Sequence, residues 1–465
     1  MIFGRIGRIG SLMGSLLCVS GCGDDSGGGP PAPPQSDAGM MDAAAREPWM
    51  QKRADGSVIV EVDAGERPPQ ACMVEQGKVF ELTSQAPLEP VSMAVDQVGG
   101  VFGLVYLTDS VDCFDSVYMA QARGGDQGAP EELPVLDPCA NIERAAVTHS
   151  WEHWLVATVD DRSGPPNLFV EAFDGEPSRG EGGNAITDNV SNKPSIALAN
   201  FHLPADNSIG QAQVDSAMVA WVEKDVLAGG MSTLKARALA ADGTPLAAEV
   251  VIEEPAMRDY QGLSLSQVGP SRMALAYIQK EGASVSAVLQ VLDRETAAAV
   301  GEPWVLTDQA GSQASVELGA DHSGGAVVYT YQANDTREIM FQELGPDGQA
   351  AKIVGGLGVG GMAPAKVTVG VPERGIDVSV AKLLRNWVLA YRALPGGQIP
   401  AEEIRTFFVD RDGRPTGASA VSGASSQGAR VAIEVGYDGY IYLGWIDANP
   451  DATTTLVMAK LPCAG

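Results

Sequence analysis
From residue 78 onward the chain repeats itself, and a repeat of this length constrains the fold more than any other sequence feature. An apolar run closed by an aromatic residue or Thr recurs at Tyr106, Thr158, Trp221, Tyr277, Tyr329, Tyr391 and Trp445. The spacings are 52, 63, 56, 52, 62 and 54 residues, a mean of 56.5. After each comes a second run, such as SVYMAQAR, TLKARAL or IRTFFVD, whose alternating apolar residues mark a half-buried strand. Asp242-Gly243, Asp347-Gly348 and Asp412-Gly413 then supply tight hairpin turns. A third run (WVLTD, EVVIEE) ends the unit, and a fourth (PSIAL, ASVEL, ARVAI) opens the next.

Four strands per unit and seven units predict an all-β fold, a seven-bladed β-propeller of four-stranded antiparallel blades. A β-solenoid needs shorter, more uniform periods, and a pair of sandwiches needs a boundary near the middle; neither is present. The segment from Phe80 to Ala86 (FELTSQA) matches Trp304 to Ala310 (WVLTDQA), so the first strand is of fourth-strand type. The last repeat, Ala429 to Leu461, stops after three strands. The N-terminal strand is therefore expected to close the last blade and remove an open edge. The pattern resembles the degenerate propeller repeats of bacterial surface lipoproteins, loosely of sialidase-like type. That resemblance implies a fold and no activity.

The N-terminus reads as an address. Arg5 and Arg8 precede an apolar stretch, Ile9 to Val19, too short to span a bilayer. Val19-Ser20-Gly21-Cys22 follows and resembles the lipobox of bacterial lipoproteins, which implies acylation of Cys22 after cleavage at residue 21. The expected organisation is a signal peptide over 1–21, a flexible Gly/Pro/Asp-rich tether over 22–56, a lead-in over 57–77 and the propeller over 78–465. Gly23, not Asp, follows the Cys, so the expected site is the outer membrane of the cell envelope. With 59 acidic and 31 basic residues, net −28, the chain lacks the cationic patches that nucleic acid requires. Its expected partners are the membrane, through the lipid, and a protein or glycan ligand.

Four cysteines remain after Cys18 and Cys22: Cys72, Cys113, Cys139 and Cys463. Three pairings are open. Cys113 falls in the 2–3 loop of the first blade, and Cys139 follows its fourth strand, on the same face. Cys463 follows strand three of the last blade, and Cys72 precedes the strand that pairs with it. The topology thus predicts Cys113–Cys139 and Cys72–Cys463, in an oxidising compartment.

Chemistry is hard to find in the sequence. His149-Ser150-Trp151-Glu152-His153 fits H-x-x-E-H, but it falls at a turn between strands, where the helical i, i+4 geometry of a zinc site is lost. Asp410 to Gly413 lacks the distal Glu of a calcium loop and reads as a turn. Nucleophile elbows, phosphate loops, Cys-x-x-Cys pairs and the Asp-box of sialidase-like enzymes are missing. No catalytic residue, metal or cofactor is therefore expected. The 2–3 loops instead carry Asp109, Asp112, Asp115, Asp160, Asp161, Glu223, Asp225, Glu281, Asp335, Glu338, Glu402, Glu403, Asp447 and Asp451 against five cations. This acidic rim is the candidate ligand face, set against the plainer reading of a solvated acidic surface. The leading expectation is a membrane-anchored, non-enzymatic binding or scaffold propeller. The alternatives are a polysaccharide-active hydrolase or lyase with carboxylates drawn from different blades, and a subunit of an envelope assembly. Two carboxylates about 5–9 Å apart at the channel mouth, one with a raised pKa, distinguish the hydrolase.

Overall fold
The computed structural model describes residues 50–52, 58–60 and most of 78–461; residues 1–49, 53–57, 61–77, 349–373, 395–402, 422–430, 462–465 and several shorter loops lie outside it. Every described element is a strand. One antiparallel pair, Met50–Lys52 with Val58–Val60, belongs to a separate small unit straddling the expected end of the tether.

The remaining strands form seven antiparallel sheets. In chain order their first strands are Glu89–Val95, Ile142–His149, Ile196–Leu203, Asp259–Gln267, Val316–Asp321, Arg374–Leu383 and Ala432–Val435. The first, second, third, fourth and sixth sheets each hold four sequential strands, and the fifth shows three among the described residues. In the seventh, Lys78–Ser84 pairs with Thr454–Leu461, with Glu81 opposite Val457 and Phe80 opposite Met458. The strand expected to complete the last sheet does so.

The recurring aromatics sit between sheets. Trp221, Tyr277, Tyr329, Tyr391 and Trp445 are all at most 2% exposed, and Thr158 takes the same place in the second sheet. They stand near the middle of second strands, where a large apolar body fills the gap between one twisted sheet and the next. One cluster joins Leu155, Val170 and Trp221 across sheets two and three; another joins Phe341, Trp387 and Phe407 across five and six. Phe102 of the first sheet stacks on Tyr442 of the seventh.

First strands of successive sheets pack on one another, and that of the seventh packs on that of the first. Side-chain oxygens strap them together. Ser92 Oγ accepts from Val147 N at 3.0 Å, Thr148 Oγ1 from Asn200 N at 3.1 Å, and Ser315 Oγ from Val378 N at 3.2 Å. Gly319 lies so near the next first strand that a Cβ would stand 2.5 Å from Val380 O. Strands this close cannot admit water to the amides, so a lost strap leaves a buried donor unpaired. Replacing Ser315 with Ala should lower unfolding stability by about 1–2 kcal/mol in denaturant titration.

The expected turns form with the chemistry anticipated. Gly243 takes φ +77° and Gly348 φ +76°, and Asp242 Oδ1 accepts from Thr244 N at 2.9 Å. Asp412-Gly413 lies outside the described residues.

Candidate functional site: a carboxyl pair on the first strands
Two glutamates lie on first strands that are one sheet apart. Glu317 is on the first strand of the fifth sheet, Glu434 on that of the seventh, with the first strand of the sixth packed against both strands. Both side chains keep partial surface accessibility. Glu434 is half-buried, and the protein packed round its carboxyl strips it of much of its solvation. Burial, then the nearby charge of Glu317, pushes its carboxyl up to about 8, against the opposing hydrogen bond from its neighbour Val435.

Glu317 is in a different situation. Its Oε1 accepts a hydrogen bond from Ser264 Oγ at 2.7 Å. The raised Glu434 carboxyl keeps its proton at neutral pH. A carboxyl that does so can act as a general acid where a second carboxylate supplies the base or nucleophile.

The acidic rim behaves differently. Asp160 is fully buried, with Arg162 donating to both oxygens at 2.7 Å and Thr158 Oγ1 donating at 2.7 Å. Glu223 is buried and shares Lys235 with Glu249, at 2.6 and 2.7 Å. Those two carboxylates raise the Lys235 ammonium against the lowering effect of burial. Glu281 pairs with Arg258, Glu403 with Arg405, and Asp447 accepts from Trp445 Nε1 at 3.1 Å. Lys224, at the end of a second strand, reaches Asp259 at the start of the next sheet, 2.7 Å away. Asp161 is half-buried and Asp225 exposed. Asp115 opens the third strand of the first sheet and Glu338 lies in that of the fifth. Asp109, Asp112, Asp335, Glu402 and Asp451 lie outside the described residues.

Cys22, Cys72, Cys113 and Cys463 also fall outside them, while the backbone at Cys139 belongs to the fourth strand of the first sheet. The H-x-x-E-H segment is a tight hairpin. Ser150 N donates to His153 O at 2.8 Å, and the buried His149 ring meets Trp154 edge-on. Among the described residues no group of three or more His, Cys, Asp or Glu converges.

Neither a protein-family model nor a curated protein matches the sequence. Among solved structures, the chain is similar to the Trypanosoma rangeli sialidase at TM-score 0.39 and 8% identity, over 88% of this chain and 57% of that one. Prolyl oligopeptidase B from Galerina marginata scores 0.44 at 9% identity, over 78% and 47%. The Penicillium chrysogenum alpha-L-arabinanase scores 0.38 at 12% identity, over 82% and 98%. The chain thus spans about half the length of the sialidase and the oligopeptidase. The architecture itself is all-β, built of antiparallel sheets of propeller type. No activity passes to this chain from likenesses at these scores.

The carboxyl pair escaped sequence reasoning because its members are far apart in the chain and carry no motif. The straps were partly visible: a Ser recurs within or beside the first strand in PVSMAV, GLSLSQ and ASVEL.

Proposed function
We propose that this chain is an exported lipoprotein whose seven sheets close into a seven-bladed propeller, and that it hydrolyses a glycosidic bond of an envelope or extracellular polysaccharide. The observation that carries the catalytic reading is the raised Glu434 carboxyl, on which burial and the charge of Glu317 from another sheet both act, with Glu317 accepting a hydroxyl hydrogen bond. Ring closure is supported by the terminal strand in the seventh sheet, the Phe102–Tyr442 stack and the contact between first strands of sheets seven and one.

In this reading Glu434 protonates the leaving oxygen, while Glu317 acts on the other side of the sugar as base or nucleophile. The acidic rim on the 2–3/4–1 face is where ligand would first attach. The test is release of reducing ends from envelope and extracellular polysaccharides by the native protein and by Glu434→Gln and Glu317→Gln. Each variant should lose at least about 100-fold in rate with its melting curve intact. Undiminished turnover by either overturns the assignment, and binding of the polysaccharide without cleavage would leave the scaffold role in its place.

Lipid anchoring rests on the Val19 to Cys22 motif. Cys22→Ala should leave the protein uncleaved or release it from membranes on fractionation, since stable anchoring needs more than one acyl chain. A mutant still processed and membrane-bound contradicts the anchor. The Cys72–Cys463 bridge is supported by register. Lys78 stands opposite Ala459, so stepping back from Lys78 and forward from Ala459 runs toward the same end of the sheet. For Cys113–Cys139, Asp115 stands opposite Ala140, which brings the two segments side by side.

A further inference from the structure
The first strands of sheets one, two, four and six each carry a bulge near the end where the 4–1 connection enters them. In sheets four and six the geometry matches. Gln261 stands opposite Ile278 and Ser264 opposite Ala276, just as Ile376 stands opposite Arg392 and Ser379 opposite Ala390. The first residue inside the bulge is left-handed in both, Gly262 at φ +59° and Asp377 at φ +51°, and the next is buried in both, Leu263 and Val378. Beyond its chain neighbours, a Cβ on Gly262 would meet nothing nearer than Ile278 Cγ1 at 3.7 Å. The position therefore has room for a side chain, and what it selects for is backbone conformation. Gly adopts that conformation freely, whereas Asp does so under strain.

Sheet four also shows that the bulge forms without charge, since Gly262 there lies beside the buried Ile278. In sheet six the place of Ile278 is taken by Arg392, whose Nη2 donates to Asp377 Oδ2 at 2.7 Å. The Asp377 side chain is 29% exposed and that of Arg392 16%, so the pair reaches the surface on the 2–3/4–1 face. Val378 N, donating to Ser315 Oγ at 3.2 Å, pins the following residue to the fifth sheet. Strain that the bulge does not require, at a carboxylate fixed from both sides, points to a task for the side chain itself.

We propose that Asp377 is a ligand-binding residue of the 2–3/4–1 face, its carboxylate accepting hydrogen bonds from the hydroxyls of a neutral glycan. A carboxylate is an acceptor-only group, which suits hydroxyl donors, and Arg392 both orients it and offsets its charge. An anionic glycan would instead approach a carboxylate on a chain of net charge −28. The inference rests on the polysaccharide reading above and narrows its substrate class; it needs neither Glu317 nor Glu434.

The test is isothermal titration calorimetry of soluble glucan, mannan, galactan and polygalacturonate against the native protein, Asp377→Gly and Asp377→Asn, with melting curves alongside. The native protein should bind at least one of the three neutral glycans, and more tightly than polygalacturonate. Asp377→Gly should melt close to the native temperature, because relief of the backbone strain offsets a partly exposed ion pair, while its affinity for that glycan falls at least about 10-fold. Should the Gly variant not fold, Asp377→Asn gives the same readout, since Asn tolerates the left-handed backbone and lacks the charge; its affinity should also fall. Native affinity in a folded Gly or Asn variant overturns the proposal and leaves Asp377 as a brace of the bulge. Binding of none of the neutral glycans, or tighter binding of polygalacturonate, overturns it as well. Neutral-glycan binding that depends on Asp377 but releases no reducing ends upholds it and overturns the hydrolytic reading alone.

Discussion

A chain ended at Gly428 should melt without a cooperative transition. The truncation removes every strand of the seventh sheet except Lys78–Ser84, which then has no partner. It deletes Ile433, Ile441, Leu443, Trp445 and Val457, and it uncovers Val388, Ala390 and Phe408 of the sixth sheet, which pack on them. At about 1.5–3 kcal/mol for each large buried side chain, the loss is as large as the roughly 5–15 kcal/mol that keeps a domain folded. A bare edge on the sixth sheet also invites association. Differential scanning calorimetry decides the matter. The truncated chain should give a broad, weak endotherm, and a peak as sharp as that of the full chain would mean that the sheets do not depend on one another.

The native protein should lose stability as pH rises from about 5 to about 9, and Glu434→Gln should remove most of that loss. The sign follows from the folded carboxyl lying near 8 against an ordinary value of 4.5. Below 4.5 the carboxyl is protonated in both states, and the fold carries no penalty from it. Between 4.5 and 8 the unfolded chain releases the proton while the folded chain keeps it, so unfolding gains ground through that window. Above 8 the folded protein must hold a poorly solvated anion within reach of the Glu317 charge, at a cost of at most about 5 kcal/mol. The amide of Gln is neutral throughout and escapes the cost. Melting temperatures of the two proteins across this range test the sign, and parallel curves would contradict it.

The sequence revealed the fold through periodicity because the same physical problem is solved seven times. Five of the second strands bury a large aromatic residue against a neighbouring sheet, so Trp221, Tyr277, Tyr329, Tyr391 and Trp445 recur at readable intervals. The terminal strand was legible for the same reason: Phe80 to Ala86 carries the side-chain pattern of Trp304 to Ala310, and it takes the fourth-strand place. Irregular edges were not legible. The fourth strand of the second sheet shrinks to Asn184–Ala185, since outer strands bury least and are held to no strict pattern.

The rim shows the limit of counting charges. Asp160 looked like a surface carboxylate in a loop, but it closes its strand, fully buried, beneath Arg162. Nothing in Asp160-Asp161-Arg162 distinguishes that clasp from a solvated acidic turn. Lys235, which Glu223 shares with Glu249, belongs to the next strand and could not be assigned before the register was known. Glu317 and Glu434 were further out of reach. They are 117 residues apart, each sits in an unremarkable apolar strand, and their coupling exists only because the first strands are packed side by side.

The central claim is that Glu434 works as an acid with Glu317 as its partner carboxyl. The most direct measurement is the pH dependence of kcat/KM for polysaccharide hydrolysis by the native protein. The account predicts a bell whose alkaline limb falls near 8, where Glu434 loses its proton, and whose acid limb follows protonation of Glu317. Absence of hydrolysis, or a rate that stays level through about pH 8 and above, would contradict it.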